Sequence, residues 1–154
     1  MKTYSTADLQ AVAHFLSIFE QEDFPFVRRL SPSDPTADGR RFVLPTYHRQ
    51  VDRLVDVLNR DGWVYGDRDF RWPQWAQTEE ARRLRDDPEA LAQATPLQLA
   101  RLLTIFVRQE RFDDGARQDF WESGLLTGIL RRAARLAEEG GGTYLSPAAP
   151  TTTG

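Results

Sequence analysis

The chain has 154 residues, a formal net charge of −3 at pH 7 and 40 % hydrophobic residues, with nine Phe and four Trp. This length and apolar content suit one domain with a real core and exclude disorder by composition. With no Cys and only His14 and His48, disulfides, thiol catalysis, Cys-ligated zinc and a three-His metal centre are excluded, and the acidic balance weighs against broad binding along a nucleic-acid backbone.

In chain order, Ser5 or Thr6 caps a first helix, with Asp8 in its first turn. Leu9, Val12, Leu16 and Phe19 recur at helical spacing, and Phe15 and Ile18 broaden that stripe. His14 lies off the stripe and reads as solvent-facing. Periodicity is then lost from Gln21 to Pro45. FPFVRRL reads as a short extended segment, which Pro25 keeps out of the centre of any sheet. SPSDPTADGRR is loop by composition and the candidate mobile loop, and Phe42, Val43 and Leu44 form a candidate strand.

Thr46 is placed to cap a second helix, with Tyr47, Val51, Leu54, Val55 and Leu58 on its apolar stripe and Gly62 as its stop. Tyr47 and His48 then fall in the first turn, where His48 is either a surface or capping residue or a donor lining a site. Trp63, Val64 and Tyr65 return toward the core as a candidate partner for the strand at 42–44. Phe70, Trp72 and Trp75 surround Pro73 and either cover the end of a helical bundle or line a pocket. A short charged helix is expected from Thr78 to Arg85, and a further turn starts at Asp87 or Pro88.

The clearest periodicity begins at Thr95-Pro96, a cap followed by Pro at the first helical position. Leu99, Leu102, Leu103 and Phe106 make one stripe, and Arg101, Thr104 and Arg108 fall on the opposite face with Arg111 on the flank. Glu110 projects onto the apolar stripe, and Gly115 reads as the residue that ends the helix. A core-facing carboxylate is costly unless paired or protonated. Glu110 is therefore either half of a structural ion pair, with Arg28, Arg49 or Arg53 as partner, or at a helix end that has already reached solvent, or an acid/base or ligand-orienting group. Ser123 is the candidate cap of a last helix whose apolar face is Leu125, Ile129, Leu130, Ala133, Leu136 and Ala137. Arg131, Arg132 and Arg135 form a short basic stripe on its other side, either a solvated face or an anion-binding one. Residues 140–154 are rich in Gly, Pro and Thr and read as a mobile tail behind a single helical domain at 1–139.

VRQERF followed by Gly115, then ESG and ILRR, resembles a family of small bacterial proteins catalogued as a domain of unknown function. LPTYHRQVDRLVDVLNRDGWV and WPQWAQTEEARRL extend the resemblance, which spans roughly Leu9 to Leu136. It implies no particular activity.

The expected fold is mainly α, a compact bundle of about five helices with at most a small β pair. No phosphate-loop, dinucleotide or calcium-loop motif is present, so no cofactor or metal is expected. No signal peptide and no apolar run of about 20 residues is visible, which points to the bacterial cytoplasm and away from a membrane. The first functional expectation is a non-enzymatic binding module for a protein partner or small anionic ligand, with Arg131, Arg132, Arg135, Tyr47, His48, Trp72 and Trp75 as candidate binding residues. The alternative is a small enzyme using Glu110, Arg108, Arg111, Asp113, Asp114 and Glu122 for acid–base or Mg²⁺-assisted phosphoryl chemistry. The third is a nucleic-acid-associated regulator, although three Arg on an acidic domain make duplex binding unlikely.

Overall fold

The computed structural model describes residues 3–32, 43–66 and 68–139, without the side chains of 28–32 and 43–45. The expected mobile loop (mostly within 33–42) and the expected tail at 140–154 lie outside the described residues. In order, the elements are α1 (Thr6–Phe19), β1 (Val27–Pro32), β2 (Val43–Tyr47), α2 (Arg49–Arg60), α3 (Trp72–Trp75), α4 (Glu79–Asp86), α5 (Pro88–Leu91) and α6 (Pro96–Arg108). A 3-10 turn at Gln109–Arg111 then leads to α7 (Ala116–Glu122) and α8 (Leu125–Glu138). The chain is mainly helical. Eight α-helical segments stand among the described residues where about five were expected, because α3, α5 and α7 are only 4, 4 and 7 residues long. No described helix is long and apolar enough to cross a membrane.

Local capping chemistry sets most helix starts. Ser5 and Asp8 form a reciprocal capping box at α1, and Thr95 and Gln98 form another at α6. Thr78 and Asp87 cap α4 and α5 by accepting the N–H of Ala81 and Glu89. Gly62 follows the last turn of α2 with φ 80°, as its sequence position requires.

Two starts differ from the sequence reading. Thr46 does not cap α2, because antiparallel pairing of β1 with β2 holds the backbone extended as far as Tyr47, which sits opposite Val27. His48 is the cap instead: its Nδ1 accepts the Gln50 N–H at 3.0 Å, and its ring packs 4.8 Å from Phe24. Ser123 does not hold the cap position of α8 either, although its hydroxyl accepts the Leu125 N–H at 3.3 Å. Gly124, at φ 83°, turns the chain into that helix, while Ser123 ends α7. The expected pairing of residues 63–65 with the strand near 43 is replaced by the β1–β2 pair. The Tyr65 N–H goes to the Thr104 hydroxyl instead.

The core lies between α1, which packs along α8, and α6. Leu99, Leu102, Leu103 and Phe106 are fully buried, as their spacing predicts, and so is Thr104. Thr104 was expected on the open face, but Trp63 and Tyr65 cover that face. Its hydroxyl lies 2.8 Å from the Ala100 carbonyl and 3.2 Å from the Trp63 carbonyl and accepts the Tyr65 N–H at 3.1 Å. Trp63 stacks on Tyr4 at 3.9 Å, and Tyr4 donates its hydroxyl to the Gly62 carbonyl at 2.9 Å. The Trp63 indole N–H has no acceptor among the described residues.

Replacing Thr104 with Val keeps its shape but orphans the Tyr65 N–H. We expect a loss of about 1–3 kcal/mol in urea unfolding, and Thr104→Ser should retain most of the stability. Equal stability of Thr104→Val and the native chain would show that this hydroxyl holds nothing.

Candidate functional site

The helical stripe of α6 ends at Arg108, where the backbone tightens into the 3-10 turn. Glu110 sits half-buried in that turn. Both its oxygens lie 3.0 Å from the Tyr47 hydroxyl, Oε2 accepts the Gly115 N–H at 3.2 Å, and Oε1 accepts the Arg117 N–H at 3.0 Å. Gly115, at φ 93°, is the cap residue of α7 rather than the end of α6. The carboxylate thus takes up N–H groups at the start of α7, which would otherwise lack acceptors. Partial burial is as expected; of the expected guanidinium partners, Arg49 and Arg53 make no ion pair with Glu110, and the side chain of Arg28 lies outside the described residues. Backbone and phenol donors fill the carboxylate's acceptor sites. Burial, and then the bond to Glu110, push the Tyr47 hydroxyl above its ordinary pKa.

Arg117 secures the same junction from the other side. Its side chain donates to the Phe106 and Val107 carbonyls at 3.3 and 2.9 Å, closing the end of α6. Arg108 is held by donation from Nε to the Tyr65 carbonyl at 3.0 Å.

Beyond this junction opens a cleft of about 570 Å³, lined by Arg68, Arg71, Trp72, Arg108, Arg111 and Phe112 together with Pro73 and Gln74. Among the described residues, no carboxylate lines it. Phe112 is 79 % exposed and lies 6.2 Å from Trp72 with the rings tilted by 39°. Exposure of so large an apolar ring beside four guanidiniums is the most distinctive surface feature among the described residues.

A family model described as a family of unknown function (DUF6508) matches residues 4–139. The chain belongs to that family. No curated protein and no solved structure matches it.

In this DUF6508 chain three of the six candidate catalytic residues, Glu110, Arg108 and Arg111, share one hollow of about 420 Å³ with Arg117, and the other three lie elsewhere. Glu110 is engaged at the junction, and Arg108 and Arg111 line the cleft. Asp113 and Asp114 stand exposed on the following turn, and Glu122 accepts a bond from Gln118 at 2.9 Å. Among the described residues, no three His, Asp or Glu are placed to hold a metal ion. Of the candidate binding residues, Trp72 lines the cleft, Tyr47 holds Glu110 and His48 caps α2. Trp75 is buried and donates its indole N–H to Glu80 at 2.9 Å. Hydrogen bonds from Gln98 and Trp75 hold the Glu80 carboxyl below the usual carboxylate range. The basic stripe is divided: Arg131 pairs with Glu20 at 2.6 Å, while Arg132 is half-buried and donates to the Ala94 carbonyl at 2.8 Å. Sequence reasoning missed Arg68, Arg71 and Phe112. Phe112 carried a signal, a large aromatic just beyond the last helical stripe and beside charged residues.

Replacing Glu110 with Gln removes one acceptor and turns a donor toward an N–H. We expect a stability loss of about 1–3 kcal/mol that persists in high salt, since the partners are uncharged donors. A double-mutant cycle with Tyr47→Phe should show coupling. The raised Tyr47 pKa fixes a sign for pH: its contribution is fully present below the ordinary tyrosine value near 10 and declines as pH rises through the higher folded value. Tyr47→Phe should therefore lose less stability than the native chain on strong alkalinisation, measured by denaturant melts. An additive cycle and unchanged alkaline sensitivity would refute the bond's energetic role.

Proposed function

We propose that the chain is a non-enzymatic binding module. Its ligand places an anionic group among Arg68, Arg71, Arg108 and Arg111 and lays a planar ring against Trp72 or Phe112. The observation that carries this reading is the 79 % exposure of Phe112 beside Trp72, in a cleft lined by four Arg and, among the described residues, no carboxylate. Guanidinium groups match phosphate and carboxylate oxygens bidentately, and exposed aromatic faces gain from stacking. An enzymatic reading would want a proton acceptor facing the ligand, and among the described residues the lining of this cleft supplies none. Arg108, fixed by the Tyr65 carbonyl, is partly pre-organised before any ligand arrives.

Calorimetric titration of the full chain with adenosine diphosphate and with inorganic pyrophosphate tests the reading. We expect the nucleotide to bind more tightly than pyrophosphate, because only it carries a ring. Phe112→Ala and Arg111→Gln alter exposed side chains, and each should weaken nucleotide binding about tenfold, equivalent to roughly 1.4 kcal/mol. Equal affinity for both probes, untouched by either substitution, would sink the proposal.

A further inference from the structure

A second hollow, of about 480 Å³, lies where α4 and α5 meet the first half of α8. Leu84, Leu91 and Leu125 give it an apolar floor, and Arg85, Arg131, Arg132 and Arg135 line it, again with no carboxylate among the described residues. Arg131 has its charge met by Glu20. The other three have no ion pair among the described residues. Arg132 matters most, because it is half-buried and its Nε is bound to a neutral carbonyl. A partly desolvated guanidinium facing only a carbonyl remains short of counter-charge, which an anion in the hollow would supply.

The wall of the hollow is fixed by a close crossing. A Cβ at Gly128 would lie 2.6 Å from Leu91 Cδ2, so the missing side chain lets α5 sit hard against α8. The hollow's size falls within the range of small-molecule sites.

We propose that this hollow binds a small amphipathic anion, a phosphate or carboxylate head held by Arg85, Arg132 and Arg135 with a short apolar tail on the leucine floor. The site is separate from the Trp72 cleft and stands whether or not that cleft binds a nucleotide. The two parts of the ligand follow from the two surfaces: guanidiniums select the head, and the leucines reward a tail that free phosphate lacks.

Calorimetry on the full chain with hexyl phosphate, inorganic phosphate and hexanol provides the test. Hexyl phosphate should bind at least about tenfold more tightly than either fragment, a difference of roughly 1.4 kcal/mol. Arg85 and Arg135 are exposed, so the double variant Arg85→Gln/Arg135→Gln should fold normally. It should lose about tenfold or more in affinity, while Arg82→Gln, an exposed residue that lines neither hollow, should leave binding unchanged. Vesicles of phosphatidylcholine with phosphatidic acid identify the source of the head group. Co-sedimentation that requires the same Arg assigns it to a lipid, and binding of hexyl phosphate alone assigns it to a soluble compound. Hexyl phosphate no tighter than inorganic phosphate, equal losses in the Arg82→Gln and double variants, or no detectable binding would each overturn the proposal.

Discussion

The Glu110 carboxylate is the point on which the lower half of the molecule turns. It sits where α6 has run out of helix, and it accepts from the end of β2 and from the first turn of α7. One side chain therefore fixes three elements. A half-buried carboxylate is acceptable here because its donors are already oriented by regular structure, so little entropy is lost in making the bonds. Phe112 and Arg111 lie on the segment this anchor holds, between Glu110 and Gly115. The exposed aromatic is thus presented from a braced turn rather than from a free loop.

The same economy recurs with arginine. Arg108, Arg117 and Arg132 each donate to main-chain carbonyls, Arg117 at the end of α6 and the other two in the connections between helices. A guanidinium suits this role, because its fork of donors can serve a carbonyl and still offer further N–H groups, whereas a lysine is a single strongly hydrated point charge. Lys2 is the one lysine among 20 basic residues. This arginine-heavy composition is therefore put to structural use. Arginines spent on carbonyls rather than on carboxylates also leave positive charge unmatched, and both clefts draw on it.

Aromatic packing separates the structural rings from the available ones. Tyr4 and Trp63 stack inside the core, Phe26 stacks on Trp121 at 5.1 Å, and Arg101 lies over Phe70 and Trp75 at 5.5 and 5.8 Å. Those rings already have partners on their faces. Phe112 touches Trp72 only at a tilt and keeps most of its surface in water. Large exposed aromatic surface is unfavourable for a chain acting alone, and so it marks where a ligand would gain most from stacking.

Sequence alone determined the helical class, the starts of α1, α4, α5 and α6, and the core stripes of α1 and α6. Each rests on chemistry within one or two turns: a side chain capping an N–H three residues on, or apolar residues repeating at 3.6. It also marked Glu110 as a residue needing partners, because a carboxylate on an apolar stripe conflicts with its surroundings. Only the tertiary structure decided which partners those are. Tyr47 and Glu110 are 63 residues apart, and Thr104 and Trp63 are 41 apart. The start of α2 and the strand partner also depended on distant pairing, as β1 claimed the backbone through Tyr47 before the helix could begin. Periodicity reports which face of an element is apolar, but it does not report what covers the other face. That is why Thr104 looked open, Arg132 looked solvated, and the meeting of Trp72 with Phe112 was invisible until the chain was folded.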